Sequence, residues 1–407
     1  MDSTTGSTPV DISIGLFQPE LLSISAFARR VGLAPSALRF YDDCGVLVPA
    51  QVDATTGYRS YSLDQEMRAR VLRSLREAGL PLAEVMVVLD GDSDSARTVL
   101  ERHRSSVREK SRTADATIAA VLRSLPGQES ADGATGDGSG DGAEPVTRVR
   151  LGGAELAGAV RQVGTAVGDD PDHPVLGRVL VEIDDSEVRL VATDRYRLST
   201  RVLKPVVAVE GPERQVLLDA GPLAEAGAWA ARCAAVTVEI GADVARISDA
   251  DGSGSRELSL WEGEFPAYRD MLAELPETLH RLIVDRTALL AAVTAHGETD
   301  GAADGTEAPV IALRLGEDDV HISPVRPGAQ DGPPPASTTL RALRIGEPPL
   351  RIGFDPAVLA PALDASVGPD VLLEISEATR PVVVRSADQG SFTTLVMPVA
   401  LTAVAED

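Results

Sequence analysis

Cysteine is nearly missing from this chain of 407 residues. Cys44 and Cys233 lie far apart and make no CxxC pair, which excludes a disulfide scaffold and a cysteine-based zinc site. The five histidines stand at no metal-ligand spacing, so no metal centre and no cofactor is expected. No apolar run approaches the length of a membrane span. The N-terminal stretch MDSTTGSTPVDIS is polar and lacks a basic leader, so the chain reads as soluble and cytoplasmic, with no membrane partner. Basic charge is short too, 38 Lys and Arg against 62 Asp and Glu, and the net charge of −24 argues at first against nucleic acid.

The charges are unevenly spread along the chain, however. Residues 21–125 hold 15 basic and 13 acidic residues, which leaves 23 basic and 49 acidic for the rest. An N-terminal part can therefore approach phosphates, while the acidic remainder would repel them. The length suggests three domains, and a hydrophobic fraction of 43% can fill their cores. The clearest boundary is Pro126–Pro145, rich in Gly, Asp and Ser, which cannot offset the entropy of ordering by burial. It reads as a flexible linker. A second tract, Pro324–Ser337, reads as a long surface loop.

Before the linker the signals are helical. Ser25 can cap a short helix through Val31, Gly32 turns the chain, and Pro35 opens a second helix that ends before Gly45. Val46–Ser62 suits a hairpin wing around Asp53–Gly57. Ser62-Leu63-Asp64-Gln65 is a capping-box pattern for a third helix stopping near Gly79, and Leu80–Leu89 gives a fourth. Ser95–Leu125 allows about 45 Å of helix. Leu100, Val107, Ala114 and Val121, joined by Ile118 and Leu125, make a modest coiled-coil seam that Arg104 and Ser111 interrupt.

After the linker, strands alternate with short Ala/Leu-rich helices, and the pattern repeats at an offset of about 135 residues. VLLDAGPLAEAGAWA in one copy answers to RIGFDPAVLAPALDA in the other. Two similar tandem domains are expected. The fold class is α+β: a helical winged helix-turn-helix with a long coiled-coil helix, then two tandem α+β domains. The boundaries read as an N-terminal extension 1–20, a helical domain with a hairpin wing 21–92, a long helix 93–125, a linker 126–146, and domains 147–275 and 276–402.

The first half resembles the MerR family of regulators. The resemblance is carried by ISAFARRVGLAPSALRFYDDCGVLVP and TTGYRSYSLDQ, with Arg39-Phe40-Tyr41 in the recognition helix and Gly57-Tyr58-Arg59-Ser60-Tyr61 in the wing. Phe40 departs from the tyrosine common there. The residues make chemical sense alone: Ser36, Arg39 and Tyr41 stand at offsets suited to base edges and phosphates, and Arg59 and Tyr61 alternate along a strand. Packing between wing and helix is the competing reading for Tyr41 and Tyr61. Cys44 reads as a packed thiol rather than a metal sensor. The resemblance implies a homodimer that pairs its long helices and distorts double-stranded promoter DNA.

The second half is similar to the second and third domains of the bacterial β sliding clamp. Val175–Leu198 carries Ala-Thr-Asp-x-x-Arg-Leu, Glu264–Arg269 matches the end of the second domain, and Val396-Met397-Pro398-Val399 matches the final strand. The clamp's first domain is replaced. Four candidate helices, Gly153–Val167, Gly221–Ala234, Arg286–Ala295 and Asp355–Ala365, carry only Arg161, Arg232 and Arg286 as cations, so encirclement of a duplex is not expected. The resemblance further implies an apolar peptide-binding cleft at Thr193, Tyr196, Arg197, Leu198, Pro266, Met271, Met397, Pro398 and Val399, rimmed by Arg195 where glycine is usual. Asp270 stands where a basic residue is common. The competing reading is that these residues only hold two domains together.

Two functions follow. One is a ligand-responsive regulator sensing an apolar, peptide-like small molecule, such as a clamp-targeting antibiotic. The other is an adaptor that captures a replication or repair protein bearing a clamp-binding peptide motif. No nucleophile–base pair, phosphate loop or metal set is present in the sequence, so an enzyme is not expected.

Overall fold

The computed structural model describes residues 21–124, 146–252, 254–299, 309–325, 337–346, 350–386 and 388–401, with side chains for all but 110–124 and 298–299. The expected extension 1–20, nearly all of the linker and most of the Pro324–Ser337 tract lie outside them. So do the side chains of Ala114, Ile118 and Val121. The chain divides into two compact units, Met1–Ser74 and Leu75–Asp407.

In the first unit the order is β1 (Leu21–Ser23), α1 (Ile24–Val31), α2 (Pro35–Asp43), β2 (Gln51–Val52), β3 (Arg59–Ser62) and α3 (Glu66–Glu77), the last running across the boundary. Ser23, not Ser25, caps α1 by accepting the Ala26 amide at 3.3 Å. The helix starts early because Leu21–Ser23 is held as a strand against β3, Leu22 opposite Tyr61. Ile24, Phe27, Ala28 and Val31 fall on the buried stripe of α1. Gly32 adopts φ 70°, and a Cβ there would meet the Arg73 guanidinium at 2.2 Å. The capping box forms as expected, Gln65 accepting from the Ser62 amide at 3.1 Å. Phe27, Leu38, Tyr61 and Leu72 are fully buried, each contributing roughly 1.5–3 kcal/mol of burial free energy.

The second unit opens with α4 (Leu82–Asp90) and α5 (Ser93–Ser124). The duplication then emerges in full. One copy is β4 (Thr147–Gly152), α6 (Gly153–Gly164), β5 (Arg178–Ile183), β6 (Val188–Thr193), β7 (Arg197–Leu203), β8 (Arg214–Asp219), α7 (Ala220–Ala230), β9 (Ala235–Ile240), β10 (Val244–Asp249) and β11 (Ser255–Trp261). After α8 (Tyr268–Ala273), the second is β12 (His280–Asp285), α9 (Arg286–Thr299), β13 (Val310–Leu315), β14 (Asp319–Val325), β15 (Thr338–Ile345), β16 (Arg351–Phe354), α10 (Pro356–Ala365), β17 (Asp370–Ile375), β18 (Val382–Ser386) and β19 (Phe392–Val396).

Both copies join one sheet, β16-β13-β14-β15-β12-β17-β18-β19-β7-β6-β5-β8-β11-β10-β9-β4. The copies meet where β19 pairs antiparallel with β7, Leu395 opposite Leu198 and Val396 opposite Arg197. Each copy has its own apolar core on the helix side, one around Leu151, Val163 and Leu190, the other around Leu313, Phe354 and Leu373. A third apolar layer, with Leu180, Leu198, Tyr268 and Leu395, covers the opposite face across the seam. Among the described residues no helix is long and apolar enough to cross a membrane.

Candidate functional site

In the first unit α1, the Gly32 turn and α2 form a helix-turn-helix. Leu38 and Tyr41 turn the inner face of α2 into the core, and this leaves Ser36 and Arg39 exposed on the other. Arg59 on β3 reaches back to α2, its Nε on Asp42 and its Nη2 on Asp43 at 3.3 Å. The Asp42 hydrogen bond holds the guanidinium above its ordinary range. Tyr61 is buried, stacked on Phe27 at 4.8 Å, with its hydroxyl donating to Leu38 O at 3.3 Å. Burial pushes its phenol up to about 12. Tyr41 and Tyr61 are thus placed in the core rather than on the outer surface, the outcome the packing alternative anticipates. Arg59 lies half-buried as a tie between wing and helix. Cys44 is buried at the end of α2.

In the second unit the β6–β7 turn is fixed by Asp194, whose Oδ1 accepts the amides of Tyr196 at 3.0 Å and Arg197 at 2.6 Å. Its Oδ2 accepts the Arg197 guanidinium at 2.6 Å. Thr193 Oγ1 donates to Arg197 O at 2.7 Å. Arg195 sits at φ 77°, the one non-glycine residue with positive φ among the described residues. Its side chain pairs with Asp170 at 2.6 Å. The Met397 amide donates to Tyr196 O at 2.8 Å, which brings the end of β19 onto this turn. Tyr196 is 61% exposed and Met397 37%, large apolar surfaces left in water where the two copies join. Val399 bonds Gly353 O at 2.8 Å, and Arg197 Nη1 reaches Ala357 O at 3.4 Å.

Pro266 precedes α8 and Met271 lies within it. Met271 is exposed, and Pro266 lines a groove of about 710 Å³ with Leu180, Leu217, Trp261, Phe265 and Tyr268. Glu182 at its edge accepts from the Tyr268 hydroxyl and from Arg269 at 2.6 Å. Burial, then this carboxylate, drive the Tyr268 phenol well above its usual range. Among the described residues no cluster of three or more His, Cys, Asp or Glu could hold a metal ion.

Comparison with known proteins assigns both halves. Residues 22–92 match the family described as MerR HTH family regulatory protein, and residues 150–267 match DNA polymerase III beta subunit, central domain. The HTH-type transcriptional regulator CueR of Escherichia coli O157:H7 is 30% identical over 120 residues, 27% of this chain and 88% of that protein. The chain belongs to the MerR family. The second half of this MerR-family protein is similar to the beta sliding clamp of Micrococcus luteus, 28% identical over 281 residues, 66% of this chain and 82% of the clamp. The sliding clamp structure from Bacillus subtilis superposes with a TM-score of 0.56 at 20% identity, covering 66% of this chain and 67% of that one, and so shares the fold.

The MerR-family regulator is therefore a DNA-binding transcription regulator with clamp-like domains, and both families are non-enzymatic. Its structure brings Thr193, Arg195, Tyr196, Arg197 and Leu198 together with Met397, while Leu198 itself is buried in the layer beneath. Sequence reasoning missed the groove at Leu180, Leu217 and Trp261 and the tie of Arg59 to Asp42. The alternation of β5 and β8 could have signalled the first. Nothing local could have signalled the second.

Proposed function

We propose that this regulator senses an apolar, peptide-like ligand in the clamp-like seam and changes its hold on promoter DNA in response. The observation that carries the reading is the exposure of Tyr196 and Met397 side by side, above the buried pair Leu198 and Leu395. Exposed aromatic and methionine surface over a packed floor, with a guanidinium fixed at the rim, is the usual form of a site for short apolar peptides. Ser36 and Arg39 contact the duplex, with Arg59, Tyr41 and Tyr61 supporting them from behind. The division into a reader at 21–92, a dimerisation helix at 93–125, a linker at 126–146 and clamp-like domains at 147–275 and 276–402 belongs to the same reading. Dimers are typical of the family, and the exposed Leu100 and Val107 on α5 support pairing there.

Of the cations expected on the helices, Arg286 is occupied by the carbonyls of Gly368 and Leu363, which supports sensing over encirclement of DNA. Calorimetry on the full chain with clamp-binding cyclic peptides and linear motif peptides tests the proposal. Binding that Tyr196→Ala and Met397→Ala each weaken by about 2 kcal/mol supports it. Absence of binding at high micromolar concentration overturns it, and recovery of a bound replication protein from host cells favours the adaptor.

A further inference from the structure

Asp370, the first residue of β17, is fully buried, and its Oδ2 accepts two donors from a distant part of the chain. One is the Arg76 guanidinium and the other is the Leu82 amide at 2.9 Å. Leu82 is the first residue of α4, whose N-cap position is Pro81 with no side-chain cap of its own. Asp370 thus supplies from 288 residues away the carboxylate that a helix N-terminus favours. Arg76 lies in the last turn of α3, and it also donates to Leu80 O at 3.1 Å and to Asp388 at 3.1 Å. One buried node therefore fastens the end of α3 and the start of α4 to the second clamp-like copy.

The node continues towards the seam. Gln389, next to Asp388, accepts from Gln162 of α6 at 2.5 Å, and the same amide nitrogen reaches Ala365 O of α10 at 3.0 Å. Ser391 O accepts the Val202 amide at 2.9 Å. From there β19 runs roughly 17 Å, paired along its length with β7, and delivers Met397 to Tyr196. Asp388 and Met397 thus stand at the two ends of one short run, the turn Asp388–Ser391 followed by β19. The Oδ1 of Asp370 has no hydrogen-bond partner among the described residues. A buried ion pair satisfied on one side only is costly to displace and sensitive to small movements of its partners.

We propose that the Arg76–Asp370–Asp388 node couples the Tyr196–Met397 cleft to the end of α3, with β19 and the turn Asp388–Ser391 as the connecting element. The inference rests on the cleft being a ligand site.

The test measures backbone amide exchange at Leu80–Val85 in the full chain, with and without a linear peptide carrying a clamp-binding motif. Asp388→Asn serves as the probe variant, since Asp388 is partly exposed and its amide analogue keeps the shape. Calorimetry on both proteins runs alongside. In the wild type, saturating peptide should change exchange at Leu82 by about fivefold. In Asp388→Asn that response should fall to within a factor of about two, with peptide affinity unchanged. An equal response in both proteins, or no response at Leu82 while the peptide binds, overturns the coupling alone. Failure of the peptide to bind the wild type removes the cleft and the coupling with it.

Discussion

Tyr61 stacks on Phe27 with ring centroids 4.8 Å apart and an interplanar angle of 12°, so the wing strand β3 and the helix α1 share one aromatic pair at the centre of the first unit. Its hydroxyl serves the backbone of α2 through Leu38 O. Tyr61 holds the geometry of the reading head. Tyr61→Phe keeps the stack and loses one buried hydrogen bond, so it should cost about 1 kcal/mol in urea unfolding. Operator affinity of the folded variant should stay within a factor of two or so of wild type. A large loss of specific binding at unchanged stability would instead place the hydroxyl on DNA.

Arg39 is exposed on α2, away from the buried stripe of Leu38 and Tyr41. Arg39→Ala should weaken specific operator binding by about 1–3 kcal/mol and leave the unfolding midpoint nearly unmoved. Fluorescence anisotropy against specific and random duplexes, repeated over a salt series, separates base contact from phosphate contact. A uniform loss on both duplexes would assign Arg39 to the backbone.

Arg195 occupies a left-handed backbone conformation that costs an ordinary residue about 1–2 kcal/mol and glycine nothing. Its ion pair with Asp170 is half exposed and returns little of that. Arg195→Gly should therefore raise stability by about 0.5 kcal/mol after the entropy glycine adds to the unfolded chain. Arg195→Ala should give no gain. Thermal unfolding of both variants distinguishes strain relief from loss of the pair.

Burial pushes Asp370 up to about 6, with Asp285 of β12 adding to the rise and Arg76 and the Leu82 amide opposing it. A carboxyl raised on folding contributes stability that is fully present below its unfolded value and is lost as pH rises through the folded one. The stability of wild type relative to Asp370→Asn should accordingly fall as pH rises from the ordinary carboxylate value of 3.8 to about 6, steepest midway between the two, and level off above. Paired urea titrations across that range measure it. A difference that is flat, or that grows with pH, would mean Asp370 folds in ionised throughout.

Helix-forming signals were readable because each lies within a few residues of what it controls. The Ser62–Gln65 capping box and Pro35 in the first turn of α2 stand where the sequence puts them. The duplication was readable for the same reason, since each copy repeats its own local order. The three-residue strand β1 was not: too short for any period, it exists only because β3 offers it a partner, and it moved the α1 cap from Ser25 to Ser23.

By itself the sequence determined the longer elements, the two families it resembles and the side chains proposed to meet DNA or a ligand, all of which rest on local spacing. Tertiary structure alone decided which of those side chains face water. Tyr61 and Leu198 went inward, while Arg39, Tyr196 and Met397 stayed out. It also decided that Arg76 would meet Asp370 across 294 residues. Such a pairing carries no local pattern, because a buried charge finds its partner only after the sheet has closed and water has gone.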